Sequence, residues 1–197
     1  MLICFNGHVQ MAKIRSFIAL DLPEDLRKGL QNLQDRVRKL TDCVRWVKPD
    51  NIHLTLKFLG AIEESQVEPI GRILENMTTG IAPFKLQVKG FGAFPNARNP
   101  KVIWMGMDDN QQRVVLFQEK LEETLAAIGF APEKRTYSPH LTLGRVKESR
   151  GKREIEQLIE KYKDEDLGYF TAGSIVFYRS DLQPSGPVYS SLKSIQL

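Results

Sequence analysis

Apolar residues recur in this chain at two spacings. Steps of two alternate with steps of three and four, and the alternation predicts strands and helices in turn. Ile14 to Asp21 (IRSFIALD) reads as a strand. A helix opened by Pro23 follows, with Leu26, Leu30, Leu33, Val37 and Leu40 on one stripe. Pro49-Asp50-Asn51 makes a turn, and His53-Leu54-Thr55-Leu56 begins a strand that runs to about Gly60. The next helix spans 63–77, with Val67, Ile70, Ile73 and Leu74 inward. Phe84 to Phe94 is a strand whose Gly90 and Gly92 predict a bulge or a close backbone approach. The order then repeats. Lys101 to Met107 is a strand, and Val114, Phe117, Leu121, Leu125 and Ile128 mark a helix. His140-Leu141-Thr142-Leu143 opens a strand closing at Gly144-Arg145. A helix over 152–163, a strand over 170–178 and a last strand over 188–195 complete the chain.

Each half therefore reads strand, helix, strand, helix, strand. The tetrapeptide His-Leu-Thr-Leu stands at the same place in both halves, with its histidines 87 residues apart. This periodicity predicts an internal duplication and two similar α+β lobes whose repeated strands share one cleft. The loop FPNARNP, residues 94–100, is the predicted crossover between lobes. Residues 1–12, with Cys4, His8 and Met11, read as a loose N-terminal extension. Residues 13–197 read as one bilobal domain, the lobes interleaved around the two motifs.

Strand alternation gives the motifs their chemistry. Residues two apart share a face, so His53 and Thr55 point one way while Leu54 and Leu56 are buried. His140 and Thr142 stand likewise over Leu141 and Leu143. Two of the chain's three histidines are used this way. Imidazole titrates near neutral pH, so one ring can accept a proton while the other donates one. Attack of water on a phosphodiester needs both acts, on opposite sides of phosphorus. The threonine hydroxyls can donate to the non-bridging oxygens. Neither motif adds a cysteine or carboxylate at metal-ligand spacing, and no Gly-rich phosphate loop ending in Lys-Ser/Thr occurs. The scheme calls for no metal and no cofactor.

Composition changes this picture little. The 197 residues are 42% hydrophobic and 26% charged, the balance of an ordinary globular domain. A net charge of +4 tilts the choice of partner toward an anion such as RNA. No apolar run is long enough to span a bilayer, and the start carries no basic segment before its short apolar run. The two cysteines form no disulfide framework, so a cytoplasmic, reduced protein is expected. Two lobes enclosing one cleft need no second chain, so a monomer is expected.

The paired H-x-T-x motifs resemble those of the two-histidine phosphoesterase superfamily. Three more stretches sharpen the likeness: RSFIAL (Arg15 to Leu20), GFGAFPNARNPKVIWMG (Gly90 to Gly106) and YSPHLTLGR (Tyr137 to Arg145). With them the chain is similar to the RNA 2′,3′-cyclic phosphodiesterases, also called 2′-5′ RNA ligases, from Arg15 to the C-terminus. The resemblance implies antiparallel sheets with helices on the outer face of each lobe, around a basic central cleft. It implies that RNA with a 2′,3′-cyclic phosphate end is opened to a terminal 2′-phosphate, and that 2′-5′ joining is the reverse reaction. By the same resemblance His53 gives a proton to the leaving oxygen and His140 activates water. Which histidine does which does not follow from the residues themselves.

Other candidates for substrate contact are weaker. Alternation puts Lys57 on the His53 face, where it is a phosphate ligand or a solvated lysine. It turns Phe58 toward the core, away from a base it could stack. It turns Arg145 away from His140, though its planar cation suits phosphate. Tyr137 lies in a loop well placed to touch a nucleotide, and Arg98 and Arg135 are loop cations. A binding module that holds an RNA end without turnover is the alternative to an enzyme.

Overall fold

The computed structural model describes residues 13–108, 111–147, 151–184 and 186–197. The predicted N-terminal extension lies outside these residues. The elements run β1 (Lys13–Leu20), α1 (Glu24–Arg38), β2 (Val44–Trp46), β3 (Leu54–Glu63), α2 (Val67–Thr78), β4 (Phe84–Phe94), β5 (Val102–Asp108), α3 (Arg113–Ala126), β6 (His140–Val146), α4 (Lys152–Tyr162), β7 (Asp166–Ala172), β8 (Ser174–Gln183) and β9 (Gly186–Gln196). The expected α+β class holds. All pairings are antiparallel, and eight strands follow the order β7-β4-β5-β6-β3-β1-β8-β9, with β2 beside β6.

The two lobes are halves of this one sheet. β9, β8, β1 and β3 form one half, and β6, β5, β4 and β7 form the other. They join where Leu54 of β3 pairs with Leu141 of β6, each the second residue of its motif. The chain visits the second half briefly as β2, which pairs with β6, returns for β3, then crosses after α2 and again at Gly173, between β7 and β8. The expected crossover at 94–100 is instead a hairpin loop, because Phe94 pairs directly with Val102. The strand expected over 170–178 is two strands, broken at Gly173.

One apolar cluster fills the space between sheet and helices. Leu30, Leu33 and Val37 of α1, Ile70 and Leu74 of α2, Leu121 and Leu125 of α3, and Ile155 and Leu158 of α4 pack on Ile18, Leu54, Leu141 and Ile103. Burying one such side chain stabilises the fold by about 1.5–3 kcal/mol. Leu40 and Ile128, predicted to extend two of these stripes, lie past the last helical turns and are exposed. With Leu54 and Leu141 facing the helices, strand alternation turns His53, Thr55, His140 and Thr142 to the open face. The predicted irregularity at Gly90 and Gly92 is present. The β4–β5 register slips between Val88 and Phe91, and a Cβ on Gly92 would stand 2.5 Å from the Trp104 ring.

Candidate active site

The Leu54–Leu141 pairing sets the site. In antiparallel strands the residues on either side of a pair face their counterparts in reverse order. His53 thereby neighbours Thr142, and Thr55 neighbours His140. Two imidazoles and two hydroxyls form a four-cornered set at the seam of the lobes.

Each imidazole is held from behind. His140 Nδ1 lies 2.7 Å from the Ser138 carbonyl oxygen. A carbonyl only accepts, so Nδ1 carries the hydrogen and Nε2 keeps a free lone pair. The Asn51 backbone, also two residues upstream, hydrogen-bonds to His53 and favours its charged form. His53 stacks on Phe17 with ring centroids 4.6 Å apart, and the Tyr189 ring meets it edge-on at 5.4 Å. His140 is met edge-on by Phe94 at 4.8 Å, and Phe94 contacts Trp104.

The aromatic shells withdraw water and so disfavour the charged form of both rings. Burial brings His53 down to about 4, with Arg27 adding to the fall and Asn51 and Asp21 opposing it. Burial also lowers His140, against the hydrogen bond to Ser138. Both rings are therefore neutral near pH 7 in the free protein. Tyr178, beside the His53 cluster, is pushed up to about 12 by burial and by Asp21.

Arg27 braces the approach to His53. It donates to the carbonyls of Leu22, Pro49, Asp50 and Ile52 and pairs with Asp21. The 3₁₀ turn Pro49–Asn51 is thereby tied to α1. A cavity of about 300 Å³ opens beside this turn, walled in part by Arg27, Asn51, His53, Tyr178 and Tyr189.

The weaker candidates are re-sorted by one backbone feature that occurs twice. Ala19 pairs with Thr55 but Ile18 with Lys57, so Leu56 is an extra residue in β3. Trp104 pairs with Thr142 but Ile103 with Gly144, so Leu143 is an extra residue in β6. Each motif thus ends in a β-bulge on its fourth residue. A bulge sets two consecutive residues against one and reverses the alternation beyond it. Leu56 and Lys57 both turn inward, as do Leu143 and Gly144. Phe58 and Arg145, the residues that follow, turn to the open face.

Three expectations are corrected on this ground. Lys57 is only 6% exposed and pairs with Glu122 of α3, with its ammonium also donating to the Ala131 carbonyl at 3.0 Å. It is a structural ion pair and does not face the site. Phe58 is 67% exposed and lies against Phe17, the ring that carries His53. Arg145 is exposed and its charge, with that of Arg15, acts on the Tyr189 phenol beside His53. Tyr137 is also placed differently from its expectation. Its hydroxyl donates to the Thr55 carbonyl at 2.9 Å and its ring packs on the core, so it ties the second motif's approach to the first motif strand. Arg98 and Arg135 are exposed on loops. The aromatic shell of Phe17, Tyr178, Tyr189 and Phe94 was not legible in sequence, because these residues come from four strands with no common spacing. Among the described residues no group of three or more His, Cys, Asp or Glu is placed to hold a metal, and no helix is long and apolar enough to cross a membrane.

Comparison with known proteins places the chain in a family. The model of the family described as LigT like phosphoesterase matches residues 20–104 and 106–189. An RNA 2′,3′-cyclic phosphodiesterase of Methanocaldococcus jannaschii is 38% identical, over 91% of this chain and 99% of its own. One of Methanothermobacter thermautotrophicus is 35% identical, over 94% of this chain and all of its own. The crystal structure of TT0787 from Thermus thermophilus superposes with a TM-score of 0.76 at 27% identity, covering 93% of this chain and 98% of that one. E. coli LigT complexed with 3′-AMP has a TM-score of 0.74 at 23% identity, a likeness of fold, over 94% of this chain and 98% of that one. The class these matches define is a phosphoesterase. More narrowly, the chain belongs to the LigT like phosphoesterase family.

Proposed function

We propose that this protein hydrolyses RNA 2′,3′-cyclic phosphate ends to 2′-phosphomonoesters by paired-histidine acid–base catalysis. The observation that carries the reading is the site's symmetry. Two imidazoles, each anchored by backbone two residues upstream, stand at the seam of the lobes with two threonine hydroxyls between them. The relatives' name, RNA 2′,3′-cyclic phosphodiesterase, supplies the substrate class.

In the step proposed, His140 accepts a proton from water through Nε2 as the water oxygen bonds to phosphorus. The bond from phosphorus to O3′ breaks on the far side, and His53 gives O3′ its proton. A 2′-phosphate and a 3′-hydroxyl result. Thr55 and Thr142 donate to the non-bridging oxygens, where negative charge grows. Arg145 adds a fixed cation from the same face. The bound phosphate anion raises the pKa of the nearby imidazole and so loads His53 with the proton that burial withholds in the free protein. The assignment of the two roles rests on the family likeness. In the reverse direction the roles exchange and the 3′-hydroxyl attacks the 2′-phosphate, re-forming the cyclic ester with loss of water. With a 5′-hydroxyl in place of water, opening the cyclic ester forms a 2′-5′ phosphodiester and frees the 3′-hydroxyl.

Replacing His53 or His140 with alanine tests this on an oligonucleotide bearing a 2′,3′-cyclic end. Each loss should cost about 10²–10⁴-fold in kcat, the usual worth of one positioned proton transfer, with the fold retained by circular dichroism. Full turnover in either variant would end the two-histidine reading. Binding of the oligonucleotide by the wild-type protein with no phosphomonoester formed would favour a binding module.

A further inference from the structure

β2 has only three residues, and its middle one is an arginine. Arg45 pairs directly with Arg145 in the antiparallel β2–β6 ladder. Directly opposed residues in such a pair project from the same face, with Cβ atoms about 4.5–5.5 Å apart. The flanking residues fix which face. Val44 is buried and Trp46 packs on the core, so Arg45 points the other way, to the open side. The bulge at Leu143 brings Arg145 to that side too. Both arginines are exposed, and no carboxylate among the described residues pairs with either.

Like charges directly opposed in a ladder cost stability. Among the described residues five other arginines pair with acids, including Arg27 with Asp21, Arg36 with Glu165, Arg72 with Glu68 and Arg179 with Asp181, while Arg15, Arg98 and Arg135 stand singly. Arg45 and Arg145 are set directly opposite each other in a ladder. An unmatched pair beside the seam is the arrangement an anion would complete. Two planar guanidinium forks about 5 Å apart at Cβ can close on one phosphate from two sides. Arg145 is near enough to the His53 cluster to act on Tyr189. Arg45 lies one strand further out, on β2.

We propose that Arg45, with Arg145, forms a subsite for a second phosphate, the internucleotide phosphodiester on the 5′ side of the reacting end. This deepens the function proposed above and rests on it. It makes the substrate an oligonucleotide in preference to a nucleoside 2′,3′-cyclic phosphate, which has only the reacting phosphate. Arg45 acts on affinity and not on the chemical step.

The test compares Arg45→Ala and Arg45→Lys with wild type on a dinucleotide and on a mononucleoside, each ending in a 2′,3′-cyclic phosphate. Arg45→Ala should raise KM for the dinucleotide about tenfold, leave kcat in place and leave the mononucleoside untouched. Arg45→Lys should recover part of the loss, since it keeps the charge but not the fork. Equal losses on both substrates, or none on either, would overturn the subsite. Binding of the 2′-phosphorylated dinucleotide supplies a readout free of turnover. The slope of log affinity against log salt should shrink by about 0.7 in Arg45→Ala, one contact's share on a single strand. An unchanged slope would mean two merely solvated arginines. If wild type turned over neither substrate, the hydrolase reading would fail, and the salt slope would still decide the subsite.

Discussion

The two motif histidines are alike in sequence and unlike in setting. His53 lies within Phe17, Tyr178 and Tyr189, and its pKa falls to about 4. His140 has Phe94 and falls in the same direction. Catalysis needs one ring charged and one neutral, and the free protein holds that state best between the two macroscopic pKa values of the pair. Both rings lie below the ordinary 6.5, so that window lies below 6.5 as well. Raising the pH empties it by stripping the acid of its proton. Lowering the pH empties it by protonating the base. A profile of kcat/KM, which reports free-enzyme ionisations, should peak on the acid side of about pH 6.5, the ordinary imidazole value. It should then fall toward tenfold per unit on the alkaline side. A plateau extending through about pH 8 would show that burial does not govern these rings. The imidazole and hydroxyl on one face were legible from alternation alone. The inequality of the two rings was not, because the aromatic residues that create it are distant in sequence.

At the level of elements, the bulge after each motif decides more than the motif itself. Period-two reading is sound through Thr55 and Thr142 and fails one residue beyond Leu56 and Leu143. The bulge at Leu56 in β3 carries no glycine or proline, so local pattern gives no warning of it, whereas Gly144 marks the one in β6. The failure inverts Lys57, Phe58 and Arg145 together. The inward position after each bulge is filled differently in the two lobes. In β6 it is Gly144, where a Cβ would stand 2.5 Å from Val44 Cγ1. In β3 it is Lys57, whose ammonium reaches Glu122. Lys57→Met removes one partner of that buried pair and leaves Glu122 uncompensated. The expected cost is about 3 kcal/mol of stability, read as a shift in the denaturant midpoint, with kcat/KM of the folded protein nearly unchanged. Lost activity at full stability would return Lys57 to the substrate. Helix stripes were easier to read than strand faces. Their errors, Leu40 and Ile128, fall at helix ends, where pattern has least hold.

Across the whole molecule, the repeated order of elements was legible and its wiring was not. Matching elements around two identical tetrapeptides announced two lobes. They did not show that β4 joins the second lobe while β8 and β9 return to the first. Strand partners are long-range choices that local pattern does not encode. The three-residue β2 escaped notice for its brevity, yet it carries Arg45. The consequence of the wiring is a shared scaffold. α1 follows a strand of the first lobe, and its Gln34 donates to the carbonyls of Val47 and Leu143, the latter in the second motif strand. Arg36 on the same helix pairs with Glu165, beside β7. The two motif strands are thus held in register by helix as well as by sheet. The central claim is that this seam opens a cyclic phosphate with acid and base supplied by the chain alone. Phosphorus NMR of the product from a 2′,3′-cyclic-ended oligonucleotide, in the presence of EDTA, tests it most directly. The account predicts full turnover to a terminal 2′-phosphate. A 3′-phosphate product would contradict the assigned bond cleavage, and activity lost to EDTA and restored by zinc would contradict the metal-free mechanism.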